Sequence, residues 1–177
     1  MKRLAVIGPC LLCVLALSGC MQAPARLEAL SAAGAIQQDA PIKAHVQVQI
    51  SAPPQRVWAL LVDAASWPSW YPDIESVETP AALSIGTRFT WKSGSTTIHS
   101  EVHLFEPQHR LSWTGTAFPA KAVHVWELEA TPGGGTLVTV NESMEGPLMK
   151  WLYPSAKLAE ANIDWLAALK HTAEQKP

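Results

Sequence analysis

The sequence predicts an α+β domain in which an antiparallel sheet of about seven strands packs against one long C-terminal helix. Three observations lead to this prediction: an alternating apolar pattern near residue 45, six short strand-like segments separated by turn residues, and an apolar stripe at helical spacing near the C-terminus. Because the strand-like segments follow one another at short intervals with tight turns, neighbouring strands should pair antiparallel.

The first strand is predicted at residues 44–50, where apolar side chains alternate with polar ones. Pro53 and Pro54 suit the first turn of a helix that ends near Asp63, and the segment WPSWYP at 67–72 predicts a second short, bent element. Six more strands are predicted at 74–79, 87–92, 96–106, 110–116, 122–131 and 136–144.

The last element is predicted to be helical, since apolar residues recur after Pro147 at steps of three and four. Pro154 falls within this stretch and should kink or interrupt the helix. A helix of about 20 residues is long enough to cross the whole sheet.

The first twenty residues have the features of a secretory signal peptide: basic Lys2 and Arg3, an apolar run over 4–17, and the ending LSGC at Cys20. The run is shorter than the roughly 20 residues that span a bilayer, so a transmembrane helix is the weaker interpretation. The ending resembles the lipobox of bacterial lipoproteins, which implies a lipid on Cys20. The alternative is an ordinary secretory signal in which Cys20 is incidental.

These features divide the chain into a signal peptide at 1–19, a lipidated cysteine with a flexible tether at 20–41, and a folded domain at 42–174. A lipid anchor predicts a cell-envelope protein whose partner is a bacterial membrane. Met21, rather than an aspartate, follows the cysteine and favours the periplasmic face of the outer membrane, as the resemblance to lipoproteins implies.

Composition excludes several classes of function. Removing Lys2 and Arg3 with the signal changes the formal net charge from −2 to −4, which argues against nucleic acid as a partner. Of the three cysteines only Cys20 would remain, so neither a disulfide framework nor a cysteine metal site is expected. We find no phosphate-binding loop or activated nucleophile, and we expect no cofactor or metal. The oligomeric state stays open.

The order of predicted elements matches the helix-grip fold, and several motifs resemble the SRPBCC superfamily, the group of START and birch-pollen-allergen-like proteins. The resemblance covers about residues 43–172 and points to the polyketide cyclase/dehydrase branch. Its motifs are ISAPP at 50–54, WPSWYPDI at 67–74, IGTRF at 85–89, EPQHRLSW at 106–113, VHVWEL at 123–128, Gly135-Thr136 and Glu142-Ser143. The resemblance implies a curved sheet that grips the final helix, with an apolar cavity between them.

Strand parity identifies the candidate site. Closing a hairpin around Gly133 pairs His124 with Glu142, both on the inward face, with Cβ atoms about 5 Å apart. Three interpretations stay open: a mutually satisfied polar pair, a polar anchor for a ligand, or a catalytic acid–base pair. A one-residue bulge in either strand would separate the two side chains.

The remaining candidates follow from parity and from the helical stripe. Asn162 interrupts that stripe and would either bind a ligand head group or cap a local kink. The predicted cavity lining consists of Phe89, Trp91, Trp113, His124, Trp126, Val140, Glu142, Leu158, Asn162 and Leu166. His99, Glu101 and His103 share the opposite face of one strand, where a solvated surface is favoured over a metal site.

Three functions follow. The first is a membrane-anchored module that binds an apolar or amphipathic small molecule, lipid-like or aromatic, in an internal cavity. The second is a cyclase or dehydratase that uses His124 and Glu142 as its acid–base pair. The third is a non-catalytic structural or interaction module. An open cavity around the polar pair would favour the first two, and a cavity filled by tryptophan side chains would favour the third.

Overall fold

A seven-stranded antiparallel sheet forms the framework of the domain, as the sequence predicts. The structure is a computed structural model that describes residues 18–175, with side chains described from residue 24 onward. The strands are β1 (Ile42–Ile50), β2 (Ile74–Glu78), β3 (Arg88–Ser93), β4 (Thr96–Glu106), β5 (Arg110–Ala117), β6 (Ala120–Ala130) and β7 (Thr136–Glu145). Their order across the sheet is β1-β7-β6-β5-β4-β3-β2, and every neighbouring pair is antiparallel.

Five α-helices and one short 3-10 helix (Ala64–Ser66) accompany the sheet in the described part of the chain. The α-helices are named in chain order. They are α1 (Ser18–Ala32), α2 (Pro54–Val62), α3 (Trp67–Trp70), α4 (Met149–Leu152) and α5 (Ser155–Glu174). Pro154 interrupts the C-terminal helix as predicted, because it stands at the N-cap of α5 with an extended backbone. Each predicted strand is present, with ends that differ from the prediction by at most two residues.

The main core lies between the sheet and α5. Leu166 and Leu169 of α5 are buried against inward side chains of the strands, among them Leu128 and Val138. Because α5 runs across the sheet and contacts β1 extensively, its polar and aromatic side chains are placed over the middle strands.

The predicted flexible tether at 20–41 is wrong for the part of this segment that the structure describes. Helix α1 packs on the outer face of β4, β5 and β6, where Leu27 is buried with Val123 and Val125. The hydroxyl of Ser31 is fully buried and hydrogen-bonds that of Ser112 at 2.7 Å. Isolated short helices are marginal, so this one depends on the apolar patch that β6 presents to it. The folded unit therefore begins well before residue 42.

Residues 1–17, which hold most of the predicted signal peptide, lie outside the described residues. The backbone at Cys20 belongs to α1, and its side chain lies outside the described set. Among the helices of residues 18–175, none is both long and apolar enough to cross a membrane.

A bulge in β4 changes the side chains that face the core. The register between β4 and β5 shifts between Val102 and Leu104, so Leu104 pairs with Ser112 on the outer face. Phe105 then points inward and meets Trp58 edge-on at 5.1 Å between ring centroids. Strict alternation assigns Leu104 to the inner face together with Val102, and the bulge makes that assignment wrong.

Candidate ligand site

The predicted hairpin register between β6 and β7 is confirmed, and it brings the two candidate residues together. His124 pairs with Glu142, and no bulge interrupts either strand nearby. Both side chains are buried, with residue exposures of 3% and 7%. The imidazole Nδ1 lies 3.6 Å from the carboxyl Oε2, which is a close contact but is too long for a hydrogen bond.

Asn162 of α5 completes a three-residue polar cluster. Its side-chain amide donates a hydrogen bond to Oε2 of Glu142 at 2.9 Å, and it is itself buried. Asn162 lies one turn from both Leu158 and Leu166, so the same helical stripe that packs the core places an amide beside the carboxyl group. The sequence predicts that Asn162 binds a ligand head group or caps a kink. The contact seen here is instead with the carboxyl group of Glu142.

Burial controls the electrostatics of this cluster. It raises the pKa of Glu142 from 4.5 to about 7, an effect that the hydrogen bond from Asn162 partly offsets. Burial also lowers the pKa of His124 from 6.5 to about 3. At mildly acidic pH the cluster is therefore a neutral imidazole beside a protonated carboxyl group, and it is not an ion pair.

An aromatic shell surrounds the imidazole. The ring centroids of Trp113, Trp126 and Trp165 lie 4.7, 5.4 and 5.6 Å from that of His124. Trp67 extends the shell, since it contacts Trp165 edge-on at 5.1 Å. The polar cluster thus lies within a wall of indole rings that shields it from water.

Three hydrogen-bonding nitrogens in this shell have no partner. They are Nε2 of His124 and the indole Nε1 atoms of Trp126 and Trp165, all buried among the described residues. The Trp126 and Trp165 rings are 5.3 Å apart, so the three groups belong to one contiguous region. Buried polar groups are nearly always satisfied, and each unsatisfied one costs about 1–3 kcal/mol. Three together mark a place where a polar atom of another molecule would be stabilised.

All but one of the other predicted lining residues belong to this interior. Phe89, Val140, Leu158 and Leu166 are buried, and Trp91 is partly buried with its indole nitrogen donating to Ser100 Oγ at 3.1 Å. Every predicted lining residue except Leu158 lies in the main core, packs against it, or belongs to the polar cluster beside it. Leu158 instead packs with Ile42 and Ala44 at one edge of the sheet.

The interior is filled by side chains, which differs from the open cavity that the sequence analysis expects. The rings of Trp67, Trp113 and Trp165 lie within 6.3 Å of one another and occupy the space between sheet and helix. The two clefts described, of about 550 and 460 Å³, are lined mainly by residues of the outer face and its edges and include neither His124 nor Glu142. A ligand would therefore have to displace aromatic rings as it enters.

Comparison with known proteins identifies the family. The family model described as polyketide cyclase / dehydrase and lipid transport matches residues 41–173. The chain belongs to this family. A comparison with curated protein sequences finds no significant match.

Solved structures agree on the fold. A Helicobacter pylori protein is 21% identical, with a TM-score of 0.71 over 77% of this chain and 90% of that one. A START superfamily protein from Mycobacterium smegmatis is 15% identical, with a TM-score of 0.65 over 75% and 97% of the two chains. A Thermus thermophilus protein is 19% identical, with a TM-score of 0.60 over 74% and 96%. At these identities the likeness shows the helix-grip fold alone.

Sequence reasoning missed one central residue of this polyketide cyclase/dehydrase family member. Trp165 contacts His124, Trp126 and Tyr71, and it stacks on Tyr71 at 5.6 Å with an interplanar angle of 17°. A signal was present, because Trp165 lies three residues after Asn162 and therefore on the same side of α5.

The histidines of β4 have protein partners on the outer face of the domain. His99 contacts Thr90 Oγ1 at 3.1 Å, and His103 contacts Thr114 Oγ1 at 2.9 Å. Glu101 accepts a hydrogen bond from Arg88 at 2.8 Å. Among the described residues, no group of three or more His, Cys, Asp or Glu is arranged to hold a metal ion.

Proposed function

We propose that this domain binds an apolar small molecule through one oxygen atom that His124, Trp126 and Trp165 hold in the interior. The observation that carries the proposal is the group of three buried, unpartnered nitrogens within one aromatic shell. A carbonyl or hydroxyl oxygen accepts hydrogen bonds from indole N–H groups and would satisfy them without introducing charge. An anionic head group fits less well, because it would lie beside Glu142 in an interior that disfavours negative charge. The raised pKa of Glu142 has the same cause.

The aromatic shell determines the chemistry expected for the rest of the ligand, beyond its oxygen atom. Indole and phenyl rings offer large apolar surfaces, so the remainder of the molecule should be apolar, either lipid-like or aromatic. Because the rings fill the interior, binding requires them to rearrange, and the bound state would be a different packing of the same side chains. The family description, which includes lipid transport, is consistent with such a ligand.

We further propose that the protein is an envelope lipoprotein anchored through Cys20, at the periplasmic face of the outer membrane. The support is the basic start, the apolar run at 4–17 and the ending LSGC. With α1 docked on the sheet, few residues separate Cys20 from the folded domain. An anchored domain would therefore lie close to the membrane surface, where apolar molecules are concentrated.

A cyclase or dehydratase activity is the second candidate, and one observation favours it. A carboxyl group with a pKa of about 7 is well matched to proton transfer near neutral pH, so Glu142 has the pKa of a general acid or base. His124, in contrast, is held neutral and has no hydrogen bond to Glu142. Turnover that is abolished in both His124→Ala and Glu142→Ala would favour the enzyme, whereas weakened binding alone would favour the binding module.

A structural or interaction module is the third candidate, and the filled interior favours it. The unpartnered nitrogens argue the other way, since a core with only a packing role would satisfy or avoid them.

Native mass spectrometry with lipid extraction, on the full chain purified from its own host, tests ligand binding directly. The expected result is a stoichiometric apolar molecule that carries a carbonyl or hydroxyl group. Trp126→Phe and Trp165→Phe should lower its occupancy, because each removes one donor and keeps most of the ring. Trp91→Phe is the matched control, since its indole already has Ser100 as a partner. A chain that is repeatedly empty would overturn the proposal.

A further inference from the structure

One end of the domain carries an exposed apolar cluster that the interior site does not use. Four large side chains, here called the end patch, point into solvent: Phe118, Leu148, Trp151 and Leu152, with exposures of 97, 70, 83 and 65%. The other seven tryptophans are all buried or partly buried in the core. Trp151 is therefore an exception that packing does not explain, and clusters of this kind mark interaction sites.

Two separate segments contribute to the end patch, and they touch each other. Phe118 lies in the turn between β5 and β6, while the other three residues lie in or next to α4. The segments meet at Gly146, where a Cβ atom would come within 2.5 Å of the carbonyl oxygen of Pro119. Leu148 adopts φ +61°, a conformation that leucine rarely takes, and holds its side chain outward there.

The direction of α1 relates the end patch to the start of the chain. Beyond the C-terminus of α1, Gly34 approaches Arg110 at the first residue of β5. One turn back, Ser31 contacts Ser112, and Glu28 lines a cleft with Thr116. Helix α1 therefore runs antiparallel to β5, with its N-terminus toward the turn that carries Phe118.

The distances along the two elements agree. From Ser31 back to Cys20 the helix rises about 16 Å, at about 1.5 Å per residue. From Ser112 to Phe118 the strand advances about 20 Å, at about 3.3 Å per residue. Cys20 and the end patch therefore lie at nearly the same level, at the same end of the domain.

We propose that the end patch docks on the surface of a lipid bilayer and fixes the orientation of the domain. Trp, Phe and Leu side chains beside a lysine are the composition of interfacial membrane anchors, and exposed Lys150 lies between Trp151 and Leu148 in the sequence. A bilayer is favoured over a second copy of the chain because Cys20, the proposed lipidation site, lies at the same end of the domain, and to this extent the inference rests on the proposed anchor. The inference goes beyond ligand binding and does not depend on an occupied interior.

Quenching by brominated lipids tests the proposal on the full chain. The protein is reconstituted into vesicles of phosphatidylethanolamine and phosphatidylglycerol, with or without brominated acyl chains, and its tryptophan fluorescence is compared. The wild-type chain should be quenched by the brominated vesicles. Trp151→Leu, which keeps an apolar side chain but removes the exposed indole, should lose most of that quenching.

Trp70→Leu is the matched control, because Trp70 is partly buried, bonds Ser66 and lies outside the end patch. It should be quenched like the wild type. Equal quenching in Trp151→Leu and wild type, or no quenching in either, would overturn the proposal. The chain could also form concentration-dependent dimers in the absence of vesicles. Disruption of such dimers by Phe118→Ser would overturn the proposal in favour of a second copy of the chain. The mass of the N-terminal peptide reports lipidation separately, so failure of the anchor and failure of docking are distinguishable.

Discussion

The pH dependence of stability tests the description of the polar cluster most directly, and Glu142→Gln is the perturbation. Gln keeps an oxygen that can accept from Asn162 Nδ2 but has no titrating proton. In the wild type, burial raises the pKa of Glu142 from 4.5 to about 7, so the folded state binds more protons than the unfolded state between these values. Its contribution to stability therefore falls as pH rises through this window.

The magnitude follows from the two pKa values. One pKa unit is worth about 1.4 kcal/mol, so ionising Glu142 in the folded interior costs on the order of 3 kcal/mol above pH 7. His124 acts in the opposite sense, because its pKa falls from 6.5 to about 3 and the unfolded state binds the extra proton in that window. Between pH 4.5 and 6.5 the two contributions oppose each other, so this pair gives the wild type a flat profile there.

Urea unfolding followed by tryptophan fluorescence, at about five pH values from 4 to 8, measures the effect. Glu142→Gln should gain stability relative to the wild type as pH rises, by about 3 kcal/mol over the range. Glu129→Gln, which removes a carboxyl group at an exposed position of β6, is the matched control for net charge. A Glu142→Gln difference that does not vary with pH, or that decreases as pH rises, would refute the argument that burial dominates this cluster.

Three further predictions test the rest of the structure. His124→Phe should lose less stability than the wild type as pH falls from 6.5 toward 3, because the variant has no imidazole to take up a proton on unfolding. Free energies of unfolding that fall equally with pH in the two proteins would contradict this. Asn162→Ala should cost about 1–3 kcal/mol and raise the pKa of Glu142 further, because the hydrogen bond that lowers this pKa is lost. An unchanged pH midpoint of stability would contradict this. Leu27→Ala should cost about 2–3 kcal/mol of stability and speed amide exchange in α1. Unchanged exchange would favour a flexible tether over a docked helix.

The candidate site illustrates what strand patterns can predict. The facing positions of His124 and Glu142 followed from alternation in two strands and from a turn centred on Gly133, because neither strand has a bulge nearby. The same reasoning was wrong at Leu104, since the bulge in β4 leaves no distinct mark in the sequence.

The docking of α1 shows a signal that was present but not used. Around His124, strand β6 carries apolar side chains on both faces, with Ala122 and Trp126 on the inner side and Val123 and Val125 on the outer side. A strand that is apolar on both faces predicts a covering layer on each side. The helix itself gave little indication, because its apolar stripe is narrow and its stability depends on the sheet beneath it.

The sequence by itself determined the α+β class, the strand boundaries to within two residues and the hairpin register, because these depend on local periodicity and turn residues. It also indicated the family, through the motifs that resemble the polyketide cyclase/dehydrase branch. Only the tertiary structure decided that the interior is filled, that Trp165 closes on His124, and that three buried nitrogens share one region without partners. These features depend on how large side chains from distant segments divide a common volume. Periodicity assigns a ring to a face, but only packing against its neighbours determines where its polar atom lies.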